Sequence, residues 1–330
     1  MDYFRVEGMT LRARFSSVCM YRELQRVLWQ YPSEQVAAMA QRVLEVKVLE
    51  LIRNAIQQTG IRRVAYCGGV ASNIKVNMLI QNLPEVEGLF VFPHMGDGGL
   101  AIGAAMALNH ELHGTHRHPM PDLCLGPGFA EQEIVTAVTR AGLEYTKVNA
   151  IEQTAARLLH DGHILLWFQG RMELGPRALG GRSILARPDS ESVKNDLNLK
   201  LKRRVWYQPF CPTMLHEDAQ EILENYHGTP NPFMTVGYMV KSQYHDRVRG
   251  VINIDGSCRP QILRDETTRY ARLLGEYKKL SGAGILLNTS FNTHGEPIVC
   301  SPQDAVRTFL ETDVNHLIME DCLVHKRSRV

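Results

Sequence analysis

A chain of 330 residues with 44% hydrophobic content holds enough apolar material for a substantial core and has the length of about two domains. Its 37 basic and 35 acidic residues leave a formal charge of +2, which argues against a nucleic-acid coat or a polybasic membrane anchor but allows a local basic pocket. Seven scattered cysteines without CxxC spacing read as reduced thiols of a cytoplasmic protein, and no apolar run reaches the roughly 18 residues that a membrane span or signal core would need.

Met1 to Gln30 carry apolar positions that fit either a core or a partner interface. From Ser33 to Gln58 the positions Val36, Met39, Val43, Val46, Leu49, Ile52 and Ile56 recur in steps of three and four, which predicts a long helix. Arg63 to Cys67 reads as a short strand leading into Gly68-Gly69 and a second helix to about Leu83. Leu89 to Phe92 is a further strand, followed by Gly96-Asp97-Gly98-Gly99 and a helix rich in small residues through Ala107. From His110 to Gly128, His, Pro and Gly accumulate without periodicity, so residues 111–128 read as a linker between a domain over 1–110 and one over 129–330.

Beyond the linker, Glu131 to Ala141 and Ala150 to Asp161 are expected helices. Ile164 to Phe168 is an expected strand that delivers the chain to Gly170-Arg171-Met172-Glu173-Leu174-Gly175-Pro176-Arg177-Ala178-Leu179-Gly180-Gly181-Arg182-Ser183. Later expected strands are Met234 to Val240, Gly250 to Ile254 and Gly284 to Asn288, the last opening into Thr289-Ser290-Phe291-Asn292. The fold class is α/β, with no internal repeat and no low-complexity segment.

The segment from Gly170 to Ser183 has the chemistry of an anion trap. Guanidinium forks match phosphate oxygens two at a time, and glycine lets main-chain N–H groups approach an anion closely. An arginine-rich surface turn is the structural alternative, and Glu173 is the only carboxylate inside the run. Gly68-Gly69 between strand and helix is either a tight turn or a phosphate cradle at a helix start. Asp97, with glycine on both sides, is either a helix cap or a metal ligand, with His94 as its nearest companion in sequence.

Five motifs in order resemble the ATP-dependent O-carbamoyltransferases of the NodU and NolO type. They are Tyr66 to Asn73; Gly96 to Gly99 with Ala101 to Ala105; Gly170 to Leu185; Asp255-Gly256-Ser257-Cys258-Arg259-Pro260-Gln261; and Leu287 to Pro297. The resemblance implies a partial actin-like ATPase-fold lobe followed by a YrdC-like α/β domain. It implies that the second domain combines carbamoyl phosphate with ATP into a carbamoyl-adenylate, and that the first passes the carbamoyl group to an acceptor hydroxyl, such as that of a nodulation oligosaccharide. By the same resemblance Arg177, Arg259 and Ser290 surround the reacting phosphates. Arg171, Arg182, Lys202, Arg204 and Asn288 support them, Gly68, Gly69 and Asn73 face a nucleotide, and Asp97 holds iron or magnesium.

Two departures from the family pattern bear on activity. The family usually has further N-terminal residues with a paired-histidine HxxxH metal motif, which this sequence lacks. The metal site is therefore expected to be incomplete, and a separate chain carrying the missing lobe is an expected partner. The second departure is Gln208 in Tyr207-Gln208-Pro209, where relatives usually have arginine. An inactive phosphate-binding remnant and tRNA threonylcarbamoylation are the competing readings.

Overall fold

The computed structural model describes residues 3–264 and 267–326. Its contacts divide the chain into two compact units, residues 1–97 and 98–330.

In the first unit, β1 (Phe4–Glu7) and β2 (Thr10–Ala13) form an antiparallel hairpin. Helix α1 (Ser17–Gln30) is capped by the Ser16 hydroxyl, which accepts from the Cys19 N–H, and it contains no buried residue. The predicted long helix is α2 (Ser33–Thr59), where, among the described residues, only Glu45 is buried. Strands β3 (Arg63–Tyr66) and β4 (Gly88–Val91) pair in parallel on either side of α3 (Ile74–Gln81). Ala71, Val91 and Met95 form one buried cluster with Tyr66 and Leu89 packed against it, and Val76, Met78 and Ile80 of α3 and Leu83 are buried as well.

The second unit opens with α4 (Leu100–His113), α5 (Glu131–Arg140), β5 (Glu144–Lys147), α6 (Ile151–His160) and β6 (Leu165–Phe168). It continues through β7 (Arg182–Ala186), α7 (Glu191–Asp196) with a π-helical turn at Leu197–Leu201, β8 (Cys211–Leu215) and α8 (His216–Ile222). The short β9 (Tyr238–Met239) and β10 (Ser257–Cys258) form a pair of their own. The chain ends through β11 (Gln261–Leu263), α9 (Arg269–Ser281), β12 (Ile285–Ser290), α10 (Pro302–Glu311), β13 (His316–Met319) and β14 (Cys322–His325).

Eight of these strands make one mixed sheet in the order β11-β8-β12-β7-β6-β13-β14-β5, parallel at β11/β8 and β13/β6 and antiparallel elsewhere. The protein is thus a mixed α/β molecule, as its strand and helix patterns lead one to expect. Side chains alternate between sheet faces with a period of two, so register decides what meets what. On one face Leu165, Trp167, Leu185, Leu286 and Leu215 pack with Ile151, Ala155 and Leu159 of α6 and Leu273, Leu274 and Tyr277 of α9. Two residues further along β12 the same face turns polar at Asn288, which stands opposite Cys211 and Leu185, and then at Ser290, opposite Ser183.

Three sequence expectations change. Of the expected strand Met234 to Val240 only Tyr238–Met239 is strand, and Gly250 to Ile254 forms none, because the Gly250 N–H turns back to the Pro188 carbonyl at 2.8 Å. Residues 114–130 lack helix and strand, yet they are no slack connection. The Gly126 N–H donates to Met172 O at 2.9 Å, Met172 N–H to Pro127 O at 3.0 Å, and Leu174 N–H to Leu123 O at 2.7 Å. The last part of the segment read as a linker, from Leu123 to Pro127, is thus part of the scaffold of the arginine-glycine loop.

Candidate functional site

The loop between β6 and β7 is closed from within. The buried carboxylate of Glu173 accepts through Oε1 from the main-chain N–H groups of Gly181 at 2.6 Å, Leu179 at 2.8 Å and Arg182 at 3.1 Å. These are the N–H groups that a glycine-rich turn was expected to offer a phosphate, and the chain's own anion takes them. Gly180 has φ +109°, and a Cβ there would lie 2.1 Å from the Tyr270 ring, so both the turn and the packing demand glycine.

Alternation separates the two residues at the head of β7. Ser183 lies on the face of Ser290 and Asn288, whereas Arg182 points to the opposite one, where its Cζ sits 3.5 Å from the centroid of the Phe168 ring. Arg182 is fully buried, and its guanidinium donates to the carbonyls of Pro127, Gln169, Gly170, Gly181 and Cys300 at 3.0–3.5 Å. Arg171 likewise donates to Gly126 O at 2.8 Å and Leu125 O at 2.7 Å. In this geometry both arginines hold the loop together, and their carbonyl bonds replace the phosphate contacts that the sequence suggested.

Asn288 sits beneath the loop as a strut. Its Nδ2 donates to Ala178 O at 3.0 Å and Thr213 Oγ1 at 3.1 Å, while Gln261 Nε2 donates to Leu179 O at 2.9 Å. Lys202 is buried at the end of β12, with its ammonium reaching Ser290 O at 2.5 Å, Asn292 Oδ1 at 2.6 Å and Asn292 O at 2.9 Å. The Ser290 hydroxyl donates to the same Asn292 Oδ1 at 2.7 Å. Burial, reinforced by the charge of Arg204, pulls the Lys202 ammonium down to a pKa of about 7.

On the same polar face, cations converge without a carboxylate. Arg259, just before β11, donates through Nη2 and Nε to Cys211 Sγ at 2.8 and 3.0 Å. Half-buried Arg177 makes no hydrogen bond or ion pair among the described residues; burial and then the charge of Arg259 lower its pKa to about 10, against the opposing pull of Cys211. Arg204 stacks 4.6 Å over the Phe210 ring and donates to Asn198 Oδ1 at 2.7 Å; burial depresses its pKa, Cys211 opposes the shift and Arg259 adds to it. No carboxylate contributes to the shifts of Arg177, Arg204 or Lys202. Arg269, by contrast, meets Glu152, Glu320 and Asp321. Partly desolvated cations with no anion among them suit an anionic ligand, because an unpaired buried charge is costly until one arrives.

A separate cavity of about 570 Å³ is lined by Leu179, Gly180, Gly181, Phe233 and Tyr270, with Arg171 at its wall, and does not include Arg177, Arg259, Lys202 or Ser290. Charge rather than hollowness therefore marks the candidate site. The sequence reading missed Cys211, which lies in a strand buried at all five residues and so shows no alternation, and it missed the capture of the loop's own N–H groups by Glu173.

In the first unit, Gly68 and Gly69 are exposed, with open space beside each Cα. The Gly68 N–H donates to Met95 O at 2.9 Å, which fixes the turn. The Asn73 side chain caps α3 by accepting from the Val76 N–H at 3.1 Å and donates to Gln41 Oε1 at 2.7 Å, so its amide is engaged within the fold. Asp97 is exposed at the start of a 3-10 turn. Among the described residues no group of three or more His, Cys, Asp or Glu side chains is placed to hold a metal ion. A lone carboxylate does not fit bound iron or magnesium, which need several ligands.

Comparison with known proteins shows the family. The carbamoyltransferase C-terminus model matches residues 156–326, more than half of the chain, and the carbamoyltransferase N-terminus model matches residues 3–106. The chain belongs to the carbamoyltransferase family. It is 36% identical over 298 residues to nodulation protein NolO of Bradyrhizobium diazoefficiens, covering 88% of this chain and 54% of that protein. It is 35% identical over 303 residues to the uncharacterized protein MJ1058 of Methanocaldococcus jannaschii, covering 89% of this chain and 49% of that one. It thus spans about half the length of these relatives. A crystal structure of full-length HypF in a phosphate- and nucleotide-bound form aligns with 56% of this chain and 22% of its own at 15% identity and a TM-score of 0.38. Among the described residues no helix is long and apolar enough to cross a membrane.

Proposed function

We propose that the second unit binds carbamoyl phosphate and ATP at Arg177, Arg259 and Ser290 and forms a carbamoyl-adenylate, from which the carbamoyl group passes to an acceptor hydroxyl. The observation that carries this reading is the cluster of Arg177, Arg204, Arg259 and Lys202, in which Arg259 acts on Arg177 and Arg204, Arg204 acts on Lys202, and no carboxylate contributes to the shifts of Arg177, Arg204 or Lys202. Family membership supports the carbamoyl chemistry. The balance is simple. Carbamoyl phosphate and water give carbamate and inorganic phosphate, and the carbamate oxygen then displaces pyrophosphate from the α-phosphorus of ATP. The oxygen of the acceptor hydroxyl finally takes the carbamoyl carbon, its proton passes to solvent, and AMP leaves with the electron pair of the broken C–O bond. Negative charge shifts between phosphoryl oxygens at each step, so fixed guanidinium donors provide the stabilisation.

The similarity to NolO suggests an oligosaccharide of the nodulation type as acceptor. Gly68 and Gly69, exposed and unobstructed, are the proposed nucleotide-facing turn of the first unit. A second polypeptide that completes the acceptor cleft belongs to the same proposal.

The test is release of pyrophosphate from ATP on addition of carbamoyl phosphate. Removal of one preorganised donor typically costs about a hundredfold in rate, so Arg177→Ala and Arg259→Ala are each expected to lower kcat/KM by about that factor. Unchanged release in both variants would overturn the assignment.

A further inference from the structure

Cys211 is the first residue of β8, buried, and stands opposite Asn288 on the polar face of the sheet. Its sulfur accepts from both Nε and Nη2 of Arg259, at 3.0 and 2.8 Å. Those two atoms form one edge of the planar guanidinium, so the Nη1–Nη2 edge is left for two oxygens of a single phosphate. Among the described residues Arg259 makes its hydrogen bonds to Cys211 and ion-pairs with no carboxylate. A carboxylate at this position would hold the same edge but cancel the charge that recruits the ligand. A sulfur is a weak, polarizable acceptor that fixes direction at little cost in net charge.

We propose that Cys211 is the positioning residue of the carbamoyl phosphate site: it holds the side edge of the Arg259 guanidinium, so that the end fork is preset for phosphate. This inference rests on the reading that Arg259 contacts the phosphate. Cys211 acts through Arg259 and does not touch the substrate. An arginine held on one edge has lost its rotamer freedom before the ligand arrives, so binding does not bear that entropy cost. Thr213, two residues on, and Asn288 across the strand pair are tied to each other at 3.1 Å and keep the neighbouring strands in register.

The experiment measures pyrophosphate release by the full chain at saturating ATP with varied carbamoyl phosphate. It compares Cys211→Ala, Cys211→Ser, Arg259→Ala and the double variant Cys211→Ala/Arg259→Ala. A lost orienting bond to a charged group is expected to raise KM about tenfold in Cys211→Ala, with kcat within about twofold. Cys211→Ser, which keeps an acceptor, recovers most of that loss. Because the sulfur works only through Arg259, the double variant is expected to be no worse than Arg259→Ala, a non-additivity that a merely structural role would not produce. If Cys211→Ala leaves KM unchanged, or multiplies the Arg259→Ala defect by its own full factor, the positioning role falls while the phosphate role of Arg259 stands. Should Cys211→Ala fail to fold, Cys211→Val, which fills similar space without an acceptor, is measured in its place: a KM raised by about fivefold or more supports the role, and any smaller rise overturns it. Normal release by Arg259→Ala overturns the underlying reading instead.

Discussion

Two arginines of one loop have opposite parts to play. Arg177 makes no hydrogen bond or ion pair among the described residues, whereas Arg182 is buried among main-chain carbonyls. Removing Arg182 leaves those carbonyls unsatisfied and a void beside Phe168, so Arg182→Ala is expected to cost about 3 kcal/mol or more in urea unfolding. Arg177→Ala removes an unpaired cation and is expected to leave stability within about 0.5 kcal/mol of wild type, or to raise it, while pyrophosphate release falls. Equal loss of stability in the two variants would refute the division. Lys202 adds a pH signature. Its folded pKa of about 7 lies below its ordinary 10.5, so between these values the unfolded chain holds a proton that the folded chain lacks. Below pH 7 both states are protonated and the folded state carries the full cost of the buried ammonium; as pH rises through the window, that cost is relieved and stability increases. The difference in unfolding free energy between wild type and Lys202→Met is expected to climb by up to about 1.4 kcal/mol per pH unit from pH 7 toward pH 10. A flat difference would show that Lys202 stays charged.

Gly180 links residue to element, because the turn from β6 to β7 exists only where φ is positive and the space beside Tyr270 is empty. Gly180→Ala combines left-handed strain with a side chain inside an aromatic ring, and is expected to cost about 2–4 kcal/mol by thermal denaturation. A Tm within two degrees of wild type would contradict that. The same loop shows what the sequence made legible. Its composition announced anion chemistry, and the strand Leu165–Phe168 before it and Ile285–Ser290 behind it were readable from apolar runs bounded by polar corners. The strand Arg182–Ala186 was not, since all five residues are buried and show no alternation, and a charged first residue disguises it as more loop. With that strand hidden, the face of Arg182 could not be assigned, and an arginine that braces carbonyls looked like one that binds phosphate. Cys211 was hidden for the same reason: Cys211–Leu215 is buried throughout, with a proline second. Glu173 was visible only as a charge, because a carboxylate that closes on N–H groups six to nine residues ahead is defined by the turn and not by spacing.

At the scale of the molecule the two units differ in how much they bury. The second has an eight-stranded sheet and a core that runs from α6 across Trp167, Leu185 and Leu286 to α9. The first leaves α1 without a buried residue and keeps Val18, Tyr21 and Trp29 at 62%, 65% and 88% exposure. Buried apolar area is the main source of folding stability, so calorimetry of the full chain is expected to show two transitions, the lower one from residues 1–97. The cationic cluster lies wholly in the second unit, so an anion that binds there stabilises that unit by mass action. At a concentration of carbamoyl phosphate a hundred times its Kd, the gain is about 2.7 kcal/mol. For a unit of this size that corresponds to an upward shift of about 5–11 °C in the higher transition. Arg259→Ala is expected to abolish the shift without lowering the transition itself. Movement of the lower transition by the same amount, or a full shift in Arg259→Ala, would place the anion somewhere other than the face shared by Cys211, Asn288 and Ser290.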